Sequence, residues 1–447
     1  MMNTHLSGKQ ILAIGLMLFA MFFGAGNMIF PPFLGQDAGT SVWTAIFGFL
    51  ITGVGLPLLG VIAIAKVGDL ETLANRVHPV YAVIFTVVLF LVIGPLFAIP
   101  RTGTVAFEIG VLPFLSEGST PNGLGLLIFS VIYFAICAWL SMNPTKLVDT
   151  IGKLLTPALL TVLALFVIKS FITPLGEPKA PVGPYAEGPF FKGFIEGYLT
   201  MDAIASLVFG GMVIASIKGL GVTSKKSISK LCIKAALIAV VGLGLVYLSL
   251  AYIGSTSPDA IGIHENGGSL LSAAANHLFG SFGAVVLGLA ILFACLTTAI
   301  GLISSCAQYF NKLMPKISYK TFVLVFSLFS AVIANVGLTQ LISFSVPVLV
   351  FIYPLAIVLI LLSFVHNLFN GYSLVYICAL IPTGLVGLVD GLNAAGLNIS
   401  AATDVLSVLP FFSQGIGWLV PAIVGAIVGY CIALAAGESK KTVPTSN

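Results

Sequence analysis

The sequence has 447 residues, of which 58% are hydrophobic and 8% are charged, and its formal net charge is +4. A soluble domain carries about 25% charged residues, so this composition excludes an ordinary soluble enzyme or nucleic-acid-binding protein. Apolar runs of about 20 residues recur along the chain, and the short alternating segments of a β-barrel are absent from it. We therefore expect an all-α polytopic membrane protein.

Hydropathy predicts about twelve transmembrane helices in a single transporter domain, residues 1–437, followed by a cytoplasmic tail, residues 438–447. The predicted spans are 9–35, 41–66, 79–112, 121–141, 146–171, 191–217, 229–254, 279–308, 319–337, 339–365, 372–391 and 413–436. Before the eighth span, SLLSAAANHLF has helical spacing and predicts a helix on the external face.

The positions of the basic residues predict the orientation. If the N-terminus is cytoplasmic, only four of the 19 basic residues fall outside or within the membrane: Arg101, Lys169, Lys179 and Lys192. Cytoplasmic loops are enriched in Lys and Arg, and one helix more or fewer would scramble this asymmetry. We therefore expect both termini in the cytoplasm.

The first span is interrupted by Gly24-Ala25-Gly26-Asn27, within FFGAGNMIFPP. Glycine lets a helix unwind, and unwound backbone is tolerated in a membrane only where it faces protein, water or a ligand. Close packing of small residues is the alternative. The neighbouring Asn27 favours a substrate-binding site.

In the third span, GPLFAIPRTGTVAFEIG contains two prolines that bend the helix, and also Arg101 and Glu108. A spacing of seven residues puts these two charges on one helix face. They are predicted to form a gate or a structural ion pair, or to contact a substrate carboxylate.

The sixth span, GYLTMDAIASLVFGG, carries Thr200, Asp202 and Ser206 ahead of Gly210-Gly211. A carboxylate in an apolar segment marks a site for an ammonium, a cation or a proton. The alternative is a helix N-terminal carboxylate that the helix dipole stabilises near the outer surface. We expect these three side chains to contribute to substrate binding.

The eighth span contains the adjacent hydroxyls Thr297 and Thr298. Each hydroxyl could bond to the carbonyl of the preceding turn, which is the common arrangement in helices. Together with a free carbonyl they would also suit Na⁺, a hard cation that prefers oxygen ligands. The chemistry of these residues leaves both interpretations open.

The first and sixth spans are both interrupted by glycine, and each begins a group of five helices. Interrupted helices at matching positions of two halves indicate an inverted-repeat transporter, with the substrate site where the two breaks meet. We expect repeat one at about 9–171, repeat two at about 191–365, and two extra helices at about 372–436.

GAGNMIFPP, GPLFAIPRTGT and YLTMDA resemble the bacterial branched-chain amino acid:cation symporters, the BrnQ-type carriers. The resemblance extends from Leu12 to Leu434. It implies uptake of leucine, isoleucine and valine, driven by Na⁺ or H⁺, across the bacterial inner membrane, with no obligatory protein partner and no cofactor beyond the coupling ion.

A more distant similarity connects the chain to the leucine-transporter fold, through Gly26-Asn27 and Phe30-Pro31. This similarity implies a sodium site formed by Ala20, Phe23, Ala294, Thr297 and Thr298. The seventh span lacks the asparagine with which such relatives complete a second sodium site next to the substrate. Its polar groups are Tyr247, Ser249 and Tyr252.

We expect a Na⁺-coupled symporter, since the centre of the fifth span, residues 156–166, has no charge where proton-coupled relatives carry a lysine. Asp202 keeps H⁺ coupling open as the alternative. A related carrier for another zwitterion or for a nucleobase is a further alternative.

The pocket for the substrate side chain is expected to include Phe97, Phe209 and Leu296. The five histidines are scattered, with no catalytic motif, so we expect no enzyme activity.

Overall fold

The computed structural model describes residues 6–115, 123–143, 156–397 and 399–437. Among these residues, eight helical stretches are long and apolar enough to cross a membrane, and four shorter apolar helices accompany them. The prediction of about twelve spans in an all-α membrane protein is therefore confirmed. The predicted tail, the start of the fifth span and the first residues of the fourth lie outside the described residues.

The first five spans and their connections are α1 (Gly8–Phe22), α2 (Ala25–Ala38), α3 (Val42–Leu50), α4 (Leu56–Val67), α5 (Leu70–Ala74), α6 (Pro79–Leu91), α7 (Ala98–Gly110), α8 (Leu124–Ser141) and α9 (Thr156–Ile172). Short 3₁₀ turns cover Gly39–Ser41 and Leu112–Phe114, and π-helical turns cover Ile51–Gly55 and Val92–Leu96.

The next five spans and their connections are α10 (Pro184–Glu187), α11 (Pro189–Glu196), α12 (Asp202–Gly219), α13 (Lys225–Thr256), α14 (Pro258–Ile261), α15 (Gly267–Leu313), α16 (Tyr319–Ala334) and α17 (Leu338–Val365). The last two spans are α18 (Ser373–Ala394) and α20 (Leu419–Ala435), with α19 (Ser400–Leu406) between them. Further 3₁₀ turns cover Gly197–Thr200 and His366–Phe369.

The break in the first span is shorter than predicted. Only Phe23 and Gly24 separate α1 from α2, and Ala25 to Asn27 already form the first turn of α2. Both glycines lie so close to neighbouring side chains that a Cβ at either position would require the neighbour to move. A Cβ on Gly24 would lie 2.6 Å from Thr298 Oγ1, and one on Gly26 would lie 2.6 Å from Arg101 Nη2.

The break in the sixth span is not at its glycines. It is at Met201, whose left-handed backbone (φ 66°, ψ 7°) separates the 3₁₀ turn Gly197–Thr200 from α12. Gly210 and Gly211 both lie inside α12, and a Cβ on Gly210 would lie 2.8 Å from Ile64 Cβ. Gly210 therefore permits close contact with the second span.

Two other interruptions follow the sequence prediction. The third span leaves helical geometry at Gly94 (φ −96°, ψ −125°), next to Pro95. In α15, Gly280 has a φ of 64°, and this kink separates a leading helix from the eighth span. The leading helix includes the SLLSAAANHLF segment.

The two breaks lie at the centre of the molecule because the spans that carry them are packed on several others. The first span, α1 and α2, contacts α13 and α15, while α12 contacts α4. Large apolar side chains such as Trp139, Phe282 and Leu328 are exposed on the outside. A surface of this kind suits contact with lipid.

Candidate functional site

A small cavity of about 20 Å³ lies where the two breaks meet. Its lining comes from the first, third, sixth and eighth spans and comprises Met21, Phe22, Gly24, Ala25, Gly26, Asn27, Ile93, Ala98, Arg101, Thr102, Thr200, Met201, Asp202, Ala205, Phe209, Thr298 and Leu302. The structure therefore brings together six of the seven residues predicted to bind substrate.

Asn27 connects the two breaks. Its Nδ2 donates to Asp202 Oδ2 at 2.5 Å and also contacts the Tyr247 hydroxyl, while its Oδ1 accepts from the Gly24 N–H at 3.2 Å. Tyr247 in turn donates to Asp202 Oδ2 at 2.7 Å. All three side chains are buried, so a continuous polar cluster joins the first, sixth and seventh spans.

Sequence reasoning did not assign Tyr247 to the site. The feature of the sequence that could have identified it is the missing asparagine of the seventh span, because Tyr247 is one of the three polar residues named there. The Tyr247 ring stacks edge-on against Phe49, with centroids 5.4 Å apart, and this contact holds the hydroxyl towards Asp202.

Arg101 and Glu108 do not form the ion pair that was one of the predictions. Arg101 Nη1 donates to Leu199 O at 2.7 Å and Nη2 to Thr200 O at 3.3 Å. Glu108 instead accepts a 2.7 Å hydrogen bond from Asn266 Nδ2. Although both residues belong to α7, Arg101 bonds to the sixth span and Glu108 to the loop before α15.

Two of the predicted side chains bond within their own segment. Thr200 Oγ1 donates to Gly197 O at 2.9 Å and accepts from Asp202 N–H at 3.3 Å, which stabilises the break. Ser206 lies apart from the cavity. It donates to Ala203 O at 2.6 Å and faces the second span, where a Cβ on Gly60 would collide with it.

Of the three expected pocket walls, Phe209 lines the cavity, where its ring meets Phe22 at 5.4 Å between centroids. Phe97 and Leu296 are not among the lining residues. The apolar wall instead includes Met21, Ile93 and Leu302.

A cluster of oxygen atoms lies beside the break in the first span. Thr297 Oγ1 donates to Ala20 O at 3.2 Å and to Ala294 O at 2.9 Å, and Thr298 Oγ1 donates to the same Ala20 O at 3.2 Å. Four of the five predicted sodium ligands are therefore grouped. The fifth, Phe23, directly follows α1, and its backbone is no longer helical (φ −73°, ψ 81°).

These oxygens are carbonyls and hydroxyls, which are ligands that suit a hard monovalent cation. Over the part of the chain that the structure describes, no group of three or more His, Cys, Asp or Glu side chains could hold a metal ion.

The family model for branched-chain amino acid transport proteins matches residues 7–436. The chain belongs to this family. It is 54% identical to the branched-chain amino acid permease BraB of Bacillus subtilis over 98% of this chain and 99% of that protein. It is 45% identical to the branched-chain amino acid transport system 2 carrier protein of Pseudomonas aeruginosa, over 98% and 100% of the two chains.

Among solved structures, the fold is similar to Mhp1, a nucleobase-cation-symport-1 family transporter in a closed conformation with bromovinylhydantoin bound. The TM-score is 0.64 and the identity 15%, over 98% of this chain and 94% of that one. The leucine-transporter fold, with its five-plus-five inverted repeat and two additional helices, is thereby confirmed. Membership of a family of transport proteins also confirms that the chain is a multi-pass membrane transporter and not an enzyme.

Proposed function

We propose that this protein is a secondary symporter that imports leucine, isoleucine and valine together with Na⁺ by alternating access. The observation that carries the proposal is the meeting of two helix breaks at a buried cavity, with a cluster of carbonyl and hydroxyl oxygens directly beside it. The names of the relatives support the substrate class.

The substrate carboxylate is proposed to bind at the N-terminal end of α2. The first N–H groups of a helix have no partner within it, and the helix dipole favours an anion there. In this chain those groups belong to Ala25, Gly26 and Asn27, which line the cavity.

The substrate ammonium is proposed to bind Asp202. Carbonyls of the broken sixth span were the other expected partners, but Leu199 O and Thr200 O already accept from Arg101. The Asp202 carboxylate lines the cavity at the first position of α12.

The apolar lining, with Phe22, Ile93, Phe209 and Leu302, would receive the branched side chain. A methylene group changes binding by only about 1–3 kcal/mol, so this wall separates leucine, isoleucine and valine weakly. It should reject charged side chains, which it cannot solvate.

Sodium is proposed to bind the oxygens of Ala20, Phe23, Ala294, Thr297 and Thr298. A cation there replaces the hydrogen bonds of the two hydroxyls and connects α1 to α15. Coupling follows if Na⁺ and the substrate both bind one conformation better than the other.

Alternating access is supported by the size of the cavity. Its volume of about 20 Å³ has space for about one water molecule, so helices must move before an amino acid can bind. In inverted-repeat transporters, one group of helices rocks against another around the fixed site.

We further propose that the protein lies in the bacterial inner membrane with both termini in the cytoplasm. The distribution of basic residues supports this orientation.

Coupling to H⁺ is the second candidate for the mechanism. The observation in its favour is Asp202, a buried carboxylate with neutral hydrogen-bond donors, since such groups often carry protons in transporters.

The test is radiolabelled leucine uptake into proteoliposomes under an imposed Na⁺ gradient or an imposed H⁺ gradient. We expect accumulation driven by Na⁺ alone, its loss in Thr298→Ala, and substantial recovery in Thr298→Ser, which keeps the hydroxyl. The matched control is Thr383→Ala, because Thr383 is also buried but donates to Ala379 O within α18. Accumulation driven only by H⁺ would exclude the sodium site and favour Asp202.

A further inference from the structure

Arg101 carries a buried positive charge that no carboxylate of the described residues approaches within ion-pair distance, although the Asp202 carboxylate attracts it from farther away. The residue is only 3% exposed. Two of its nitrogens bond to backbone carbonyls of the sixth span, and its Nε has no hydrogen-bond partner. A buried ion is expensive unless it is paired and hydrogen-bonded, so this guanidinium suits an anion.

The two nearby carboxylates of the membrane region are bonded to neutral groups. Asp202 Oδ2 accepts from Asn27 and Tyr247, and Glu108 Oε1 accepts from Asn266. Neither forms an ion pair with Arg101. The positive charge therefore remains available on the wall of the cavity.

The guanidinium is close to the N-terminal end of α2. A Cβ on Gly26 would lie 2.6 Å from Arg101 Nη2 and 3.1 Å from its Cζ. The Phe30 ring, on the same helix, lies 5.4 Å from Arg101 Cζ. Free helical N–H groups and a guanidinium thus lie together, and both kinds of donor bind carboxylates well.

We propose that Arg101 binds the α-carboxylate of the transported amino acid, together with the first N–H groups of α2. Asp202, which lines the same cavity, binds the α-ammonium. Two charges of opposite sign that are not in direct contact with each other make the cavity a receptor for a zwitterion. This inference rests on the proposed function, and it assigns to Arg101 selection for substrates that carry a carboxylate.

The experiment measures the binding of three ligands to the purified full-length protein by displacement of radiolabelled leucine and by ligand-induced thermal stabilisation. The ligands are leucine, isoamylamine, which lacks the carboxylate, and 4-methylpentanoate, which lacks the ammonium. In Arg101→Gln we expect the affinities for leucine and 4-methylpentanoate to fall on the order of 10- to 100-fold. The affinity for isoamylamine should change less than about threefold, because the lost bond is to the carboxylate.

The matched control is Arg76→Gln, because Arg76 is the other arginine of the sequence and bonds to Tyr376, away from the cavity. This control should keep the wild-type ratio of leucine to isoamylamine affinity. A parallel loss of affinity for all three ligands in Arg101→Gln would mean that Arg101 has only a structural role. An unchanged ratio in that variant would overturn the proposal.

If Arg101→Gln does not fold, Gly26→Ala tests whether Arg101 binds the carboxylate, because the added Cβ of the alanine would displace the Arg101 guanidinium. It should lower the ratio of leucine to isoamylamine affinity, and an unchanged ratio would again contradict the proposal. The proposed function fails separately, if the wild-type protein does not bind and accumulate leucine.

Discussion

Tyr247 shows how one hydroxyl can complete the site. It is fully buried, contacts Asn27 and donates to Asp202, so it holds the carboxylate and the broken first span in a fixed relation. In Tyr247→Phe the ring contact with Phe49 remains while the hydrogen bonds are lost. A hydrogen bond to a charged group contributes about 1.5–3 kcal/mol, so we expect the dissociation constant for leucine to rise about 10- to 100-fold. Equilibrium binding to the purified protein checks this prediction.

Tyr252→Phe provides the control for this prediction. Tyr252 lies on the same helix, and its ring stacks on Phe171 with centroids 4.5 Å apart. Its hydroxyl is not part of the polar cluster, so leucine binding should be unchanged. Equal losses in the two variants would show that any tyrosine-to-phenylalanine change on α13 weakens the protein.

The residues of the site were predicted better than their partners. Asn27, Asp202 and Thr298 were recognisable because polar groups inside apolar runs are costly and therefore informative. Hydrogen-bond partners depend on how distant spans pack, which hydropathy does not encode. For that reason an ion pair between Arg101 and Glu108 was one of the interpretations of the sequence, whereas the structure bonds each residue to a different element.

At the level of helices, the interruption of the sixth span follows a backbone conformation and not a glycine. Met201 has a left-handed backbone, which costs a non-glycine residue roughly 1–2 kcal/mol. Met201→Gly and Met201→Ala both remove the side chain and its packing. We expect the glycine variant to be the more stable of the two by about 1 kcal/mol, because glycine adopts this conformation without strain.

Thermal unfolding of the detergent-solubilised variants measures this difference. The same pair of substitutions at Leu207, which is helical and buried within α12, should rank in the opposite order, since alanine is the better helix former. If alanine is also more stable at position 201, the break in the sixth span lies elsewhere.

The spans themselves were predictable because a membrane-crossing helix needs a long apolar run, and few other segments have one. The breaks were only partly predictable. Gly24 and Gly26 stood out from the sequence, yet the reason for them is the close approach of Thr298 and Arg101, which only the three-dimensional structure reveals. Methionine at position 201 gives no compositional signal for a left-handed turn.

For the whole molecule, the orientation in the membrane is the prediction that most needs a direct measurement. Cysteines introduced by Lys226→Cys and Lys179→Cys can be labelled in intact cells with a membrane-impermeant thiol reagent, in a protein whose exposed Cys431 is replaced by serine. The same protein without an introduced cysteine measures the labelling of the five remaining native cysteines. We expect labelling of the cysteine at 179 and none of the one at 226 until the membrane is opened, because basic clusters remain in the cytoplasm. The reverse pattern would invert the proposed topology.

Asn27 is separated from Asp202 by 175 residues and from Tyr247 by 220. During synthesis the first span therefore enters the bilayer long before its polar partners exist. An unsatisfied polar group in lipid costs several kcal/mol, so we expect the interrupted span to gain stability first when the sixth span supplies Asp202 and again when the seventh supplies Tyr247. The polar cluster of the site is thus complete only after more than half of the chain has been synthesised.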